Sequence, residues 1–346
     1  MSTEREKKIL TKLHCERFTT FDKLTLELSP GINVFIGKNG TGKTHLMKVC
    51  YAACDITKSK LSFAEKINRV FLPSGRSIGR LVKRQKASSK CVVEVHRANL
   101  KLHISFSNHT EKPESARVTG QSEWVAKPLE SVFIPVKEML SNGPGFRSLY
   151  SQREIHFEEV YSDILDRAYR PVLRGPMDIK RKDLLKQLQR AIDGKVIVSN
   201  EEFFLKNKQG NLEFTLLAEG IRKLGLLWTL IQNGTLMDGS VLFWDEPETN
   251  LNPSMFGELM QVILDLQRAG VQVFMATHDY VILKELDLRK KNTDRIVYHS
   301  LFHDDDGVVQ CRQASRYIDI YQNAIANTFS DLYDREVSRS LGGFLK

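Results

Sequence analysis

The 346-residue sequence predicts an α/β fold with a mostly parallel sheet flanked by helices, and three observations carry that expectation. Short apolar runs alternate with stretches of helical periodicity towards both ends of the chain. One such run leads into a glycine-rich loop that opens a helix, and another ends in two adjacent acids. Strands buried on both faces read as continuous apolar runs, as parallel strands covered by helices do.

The elements follow in order. Residues 13–18 and 24–28 are strand-like, and Ser29-Pro30-Gly31 breaks the chain before the apolar run 32–36. After the loop, Leu46, Met47, Cys50, Tyr51 and Cys54 recur at helical spacing within 43–57. From about 61 to 127 the character changes to a short helical piece (63–71), a basic stretch, and two β-rich runs, 91–96 and 100–106, that read as an antiparallel insertion. A strand over 131–136, a turn at 142–145 and helices over 156–170 and 177–192 come next. Three short strands (195–198, 203–206, 212–216) precede an apolar helix over 220–232. Alternation then resumes: strand 241–244, helix 254–268, strand 271–276, a helix from Tyr280, strand 296–302, and a helical tail over 317–345. The expected organisation is a discontinuous core of 1–57 and 195–315, an inserted β-rich and helical lobe of 58–194, and a C-terminal helical tail of 316–346.

Composition narrows the function classes. Lys plus Arg number 51 against 42 Asp plus Glu, a net +9, and 41% hydrophobic with 27% charged residues is ordinary globular usage that excludes a disordered or collagen-like chain. No run of about 18 apolar residues occurs, and the opening MSTEREKKIL is charged where a signal peptide needs apolar residues, so a cytoplasmic protein with no membrane association is expected. The five cysteines, Cys15, Cys50, Cys54, Cys91 and Cys311, contain no C-x-x-C and read as reduced core residues.

Gly37, Lys38, Asn39, Gly40, Thr41, Gly42, Lys43 and Thr44 satisfy G-x-x-x-x-G-K-[ST] between an apolar strand and a helix. Glycines let the backbone bend so that successive N–H groups and the helix N-terminus converge on an anion. A nucleoside triphosphate with Mg²⁺ is the expected ligand, ATP above all. Lys43 reaches its β- and γ-phosphates, and the Thr44 hydroxyl completes part of the Mg²⁺ shell. In an open parallel sheet ligands lie outside the carboxyl ends of the strands, which places Asp245 and Glu246, at the end of the run 241–244, in the same crevice. Asp245 is expected on Mg²⁺ and Glu246 as the base that orients and deprotonates water. The next strand ends in Thr277-His278-Asp279, where the His278 imidazole can donate to the γ-phosphate.

Taken together, the G-x-N-G-x-G-K-T loop with Asn39, the D-E-P-E-x-x-L-x-P run from Asp245 to Pro253, and T-H-D at 277–279 resemble the ATP-binding cassette (ABC) superfamily. Within it they are similar to the soluble branch that includes RecF, structural-maintenance-of-chromosomes (SMC) heads and overcoming-lysogenization-defect (OLD) ATPases, and they look most like the OLD-type group, in the form without an appended Toprim nuclease domain. The resemblance covers about 10–57 and 212–302. It implies ATP hydrolysis to ADP and phosphate between two heads, each loop facing a signature helix of the other, and hence a homodimer or higher homo-oligomer. Leu217-Ala218-Glu219-Gly220-Ile221 stands where the family carries Leu-Ser-Gly-Gly-Gln, so Gly220 is the residue that would receive a γ-phosphate, while Ala218 lacks the serine hydroxyl. Asn252 stands where relatives carry aspartate or histidine, and Lys137 or Glu138 could replace the family's Mg²⁺-linked glutamine. By family habit such ATPases act as sensors in anti-phage defence beside a separately encoded effector, a nuclease or toxin. A RecF-like DNA-repair loader and an ATP-gated scaffold with little turnover are the alternatives. Six cations without an acid between 74 and 90, Arg76, Arg80, Lys83, Arg84, Lys86 and Lys90, offer DNA contacts, Arg76, Arg80, Lys83 and Arg84 foremost. A second cationic run from Arg167 to Arg190 is diluted by Asp178 and Asp183.

Overall fold

The computed structural model describes residues 8–341 except 86, 153 and 154, so Lys86 and the expected end of the helical tail at 342–345 lie outside the described residues. In chain order the strands are β1 (Leu10–Phe18), β2 (Phe21–Glu27), β3 (Ile32–Gly37), β4 (Lys90–Arg97), β5 (Leu100–Ser107), β6 (Arg117–Thr119), β7 (Ser131–Ile134), β8 (Lys195–Ser199), β9 (Glu202–Asn207), β10 (Gly210–Glu213), β11 (Val241–Asp245), β12 (Gln272–Ala276), β13 (Ile296–His303) and β14 (Val309–Ala314). The helices are α1 (Lys43–Asp55), α2 (Phe63–Phe71), α3 (Gln121–Val125), α4 (Phe146–Gln152), α5 (Glu159–Ala168), α6 (Ile179–Ala191), α7 (Glu219–Gln232), α8 (Phe256–Arg268), α9 (Tyr280–Arg289) and α10 (Ala324–Ser340).

The core is a six-stranded sheet in the order β14-β13-β3-β12-β11-β7, parallel except for the edge strand β14. Both faces are covered, which is why β3, β7, β11 and β12 are apolar at nearly every position. Alternate residues sort by face. Val34, Leu242, Trp244, Val273, Met275 and Tyr298 pack towards α6, α7, α8 and α9. Phe35, Phe133, Phe243 and Phe274 pack towards α1 and a second sheet. These four rings and His299 form a ladder across five strands, with centroids 4.8 to 6.4 Å apart between neighbours.

The second sheet is antiparallel, in the order β2-β1-β4-β5-β6. Its composition changes the expected partition of the chain. β4 pairs with β1, Cys15 opposite Val93, so the 91–106 run completes a sheet begun by the first 27 residues, and a boundary at residue 58 cuts that sheet in two. β7, assigned by sequence to the inserted lobe, is an edge strand of the parallel sheet. β8, β9 and β10 form their own three-stranded sheet against α7, and the expected strand over 212–216 ends at Glu213, where Phe214–Leu216 turns into a single helical turn. The tail helix begins at Ala324 and rests on α9 through Tyr280 and Phe329, whose rings stack at 4.4 Å.

Helix α1, which carries the glycine-rich loop at its start, is fixed at its other end by buried charges. Lys66 Nζ of α2 lies 2.7 Å from Asp55 of α1 and 2.7 Å from Asp163 of α5, and Arg167 of α5 bonds to Asp55 and, at 2.6 Å, to the Ser131 carbonyl of β7. Removing one member would strand the others in a medium that penalises unpaired charge, so the cluster ties α1, α2, α5 and β7 into one unit.

Candidate nucleotide site

Strand β3 ends in the loop because its last residue can turn where others cannot. At Gly37, φ is +146° and an ideal Cβ would lie 2.2 Å from the Leu301 carbonyl of β13. At Gly42, φ is +90° and a Cβ would meet Phe21 and Thr20 of the β1–β2 turn at 2.4 and 2.7 Å. Between them Lys38, Asn39 and Gly40 are exposed at the mouth, and Thr41 folds back, its hydroxyl donating to Lys38 O at 2.8 Å. Lys43 Nζ spans the loop, donating to Gly37 O at 2.8 Å and Lys38 O at 3.2 Å. Burial lowers the Lys43 pKa to about 8, against the pull of Asp245, Glu246 and Glu248.

The acidic strand end arrives beside it. The Thr44 hydroxyl donates to both oxygens of Asp245, at 3.2 and 3.0 Å, across 201 residues of sequence. Burial pushes the Asp245 pKa up to about 6; the Thr44 bond and the Lys48 and Lys43 charges oppose this, while Glu246 adds to it. A hydroxyl and a carboxylate side by side at a part-buried spot are a hard-oxygen donor pair that fits Mg²⁺. Thr44 and Asp245 are the residues that would hold it.

Glu246 follows at φ +47°, a left-handed conformation that turns the chain sharply out of β11. Its Oε2 accepts from the Thr249 hydroxyl at 3.1 Å, and its Oε1 lies 3.7 Å from His278 Nε2 at the end of β12. Burial and the Lys43 charge lower the His278 pKa, opposed by Glu246, and the imidazole keeps at least one ring N–H to donate. The structure therefore brings Lys43, Thr44, Asp245, Glu246 and His278 to one crevice.

Two neighbours escape a reading by motif. Glu248 Oε1 accepts from the Thr277 hydroxyl at 2.8 Å and from the His278 amide at 2.9 Å, clamping the β11 turn to the β12 turn. Lys48, one turn along α1 from Thr44, bonds to Glu158 at 2.6 Å and lends positive charge to Asp245. Glu248 lies inside the quoted D-E-P-E run, and its spacing from the strand end was the available signal. Lys48 left none beyond helical spacing.

Gly220 is buried against the turn after the acids, a Cβ there meeting Leu251 Cδ1 at 2.7 Å and Asn250 O at 2.9 Å, so close packing also requires a glycine at this position. Ala218 stands at the N-cap of α7 and supplies no side-chain cap. Asn252 is a local cap, accepting from the Ser254 amide at 3.0 Å and hydroxyl at 2.8 Å. Lys137 is exposed, whereas Glu138 turns inward to Arg222 of α7 at 3.0 Å. In the first basic group Arg76, Arg80 and Arg84 are exposed while Lys83 is paired with Asp22. In the second, Arg167 and Arg181 are buried in structural bonds and Arg170 pairs with Glu130 at 3.0 Å. Among the described residues no helix is long and apolar enough to cross a membrane.

Comparison with known proteins follows the same lines. The family model described as "AAA domain, putative AbiEii toxin, Type IV TA system" matches residues 32–284. The DNA replication and repair protein RecF of Limosilactobacillus reuteri (strain DSM 20016) is 27% identical over 246 residues, 62% of this chain and 59% of that protein. RecF of Acidothermus cellulolyticus is 49% identical over 45 residues, 13% of this chain and 12% of that protein. The chain thus spans about 59% of the length of the first of these relatives. Among solved structures, an SMC head bound to the C-winged helix domain of ScpA superposes with a TM-score of 0.55 at 14% identity, over 90% of this chain and 98% of that one, which shows a shared fold.

Proposed function

The chain belongs to the AAA-domain family matched by its residues 32–284, with the fold of an SMC-type ABC head, and from that premise we propose that it is a Mg-ATP-hydrolysing switch whose heads pair around nucleotide. The observation that carries this reading is the Thr44–Asp245 contact, 3.0 Å at its shorter, with Glu246 and His278 on the same rim. Lys43 and the amides at the start of α1 hold the phosphates. Magnesium, when bound, neutralises phosphate charge. Glu246 takes the proton of the attacking water, and a ring N–H of His278 donates to the γ-phosphate. Pairing of heads, control of a separately encoded effector and a place in anti-phage defence are the finer parts of the proposal, supported by the OLD-like motif run. Purified protein with Mg-ATP should release phosphate, and its mass by light scattering should double with ATP relative to ADP. Silence in both assays would end the proposal.

A second reading, a RecF-like DNA loader, is favoured by the RecF relatives and by the exposed Arg76, Arg80 and Arg84. It predicts ATP-dependent binding to gapped DNA whose affinity falls with salt. Arg80→Glu with Arg84→Glu should flatten the logarithmic salt slope by about 2 units, near 0.9 per lost phosphate contact. An unchanged slope would take these arginines out of any DNA contact.

A further inference from the structure

The start of α7 and the turn after the acids are fastened together at three points. Lys223 Nζ, on a residue only 2% exposed, donates to Thr249 O at 2.7 Å. Asn250 Nδ2 donates to Glu219 Oε2 at 2.8 Å. Gly220 packs on Asn250 O and Leu251 too tightly to admit a Cβ. Thr249, the residue Lys223 grips, is also the one that holds Glu246: its hydroxyl donates to Glu246 Oε2 at 3.1 Å and its amide to Glu246 O at 3.1 Å.

We propose that Lys223 is a positioning residue for hydrolysis, fixing Thr249 by its carbonyl so that the Thr249 hydroxyl aims the Glu246 carboxylate at the water. The inference rests on the reading of Glu246 as the base. Three features support it. Glu246 sits at φ +47°, which a non-glycine residue keeps only where its surroundings over-determine it. The tether reaches it within one turn of chain. Lys223 is also only 2% exposed on a helix that buries Leu224, Leu226 and Leu227, and burying an ammonium there is costly. Burial lowers the Lys223 pKa, while Glu219, Glu248, Glu246 and Glu138 support its charge. The bond that fastens α7 to the turn also bears on hydrolysis, because the carbonyl Lys223 grips belongs to the residue that orients Glu246.

The test uses Thr249→Val, which keeps the shape and removes the hydroxyl, Thr249→Ser, which restores the hydroxyl, Lys223→Met, and the Lys223→Met/Thr249→Val pair. Each is assayed for kcat with Mg-ATP and for ATP affinity. Thr249→Val and Lys223→Met should each lower kcat about tenfold with affinity within about twofold, and Thr249→Ser should restore the rate. The double variant should be no slower than the slower single, because both changes cut one tether. Wild-type kcat in Thr249→Val, or a double variant slower by the product of the singles, overturns the proposal. So does a loss of affinity equal to the loss of kcat. Should Lys223→Met not fold, the Thr249 pair still decides. Glu246→Gln run alongside separates the failures: normal turnover there removes the base itself, whereas its loss beside a fully active Thr249→Val removes only the role of Lys223.

Discussion

Lys43→Ala is expected to weaken ATP binding by at least about 100-fold. The ammonium is buried within the loop, 6% exposed, whereas Lys38 stands exposed at its mouth, and the Lys43 ammonium is held by the Gly37 and Lys38 carbonyls at 2.8 and 3.2 Å. Phosphate oxygens offer it stronger acceptors. A charged hydrogen bond contributes about 1.5–3 kcal/mol, so two phosphate contacts amount to roughly 3–6 kcal/mol, and about 1.4 kcal/mol is tenfold in affinity. The pH dependence has a definite sign. The Lys43 pKa in the free protein is lowered to about 8, and bound phosphates raise it. Well below pH 8 the ammonium is protonated before and after binding, so this group adds no pH dependence there. Above pH 8 binding takes up a proton, and affinity falls as pH rises. Calorimetry at pH 8.5 in two buffers of different ionisation heat should register that proton for the unaltered protein and none for Lys43→Ala. Equal uptake of nucleotide by both proteins would dismantle the site as described.

What the chain discloses before folding, and what it withholds, follows from the range of the interactions. The β3–loop–α1 unit and the ends of β11 and β12 are legible because each packs its chemistry into a few contiguous residues, Gly37–Thr44, Asp245–Glu246 and Thr277–Asp279. A parallel sheet then gathers them, since every parallel strand points its carboxyl end to the same edge. Pairing between distant strands has no such local mark. The run 90–107 alternates like any antiparallel strand pair, and nothing within it says that its partner is β1 rather than another strand of its own lobe. Burial of charge is equally silent. Arg167 and Arg181 look like members of a solvated cationic run, yet Arg167 binds the Ser131 carbonyl and Asp55, and Arg181 the Ile231 and Gln232 carbonyls, inside the fold. Asn252 and Gly220 also make local contacts that the motif does not announce, Asn252 capping a helical turn and Gly220 packing closely on Leu251 and Asn250. β14, with Gln310, Arg312 and Gln313 on an exposed edge, lacks the apolar alternation that would betray a strand.

Glu246→Gln should lower turnover by about 10²- to 10⁴-fold, the range for a lost general base, while ATP affinity stays within about twofold. The choice of Glu246 over its neighbours follows from how each carboxylate is occupied. Asp245 is buried and faces the Thr44 hydroxyl with both oxygens, which suits it to Mg²⁺. Glu248 holds the Thr277 hydroxyl and the His278 amide on Oε1 and buries its Oε2 without a partner, so it is fixed inside the link between two turns and not at the open rim. Glu246 alone stands at the rim, about a third of its side chain exposed, with one hydrogen bond to Thr249 and His278 at 3.7 Å. Glutamine keeps the length and the contact with Thr249 but cannot take a proton. Because Lys43, Thr44 and Asp245 are untouched, the variant should bind nucleotide and stall before the chemical step, so that ATP-paired heads accumulate where the unaltered protein cycles. Single-turnover phosphate release beside equilibrium ATP binding reads both quantities. Full release by Glu246→Gln would move the base elsewhere, with Glu248 the next carboxylate to replace. Loss of binding together with turnover would instead make Glu246 part of the binding surface, and pairing of heads would then no longer wait on hydrolysis.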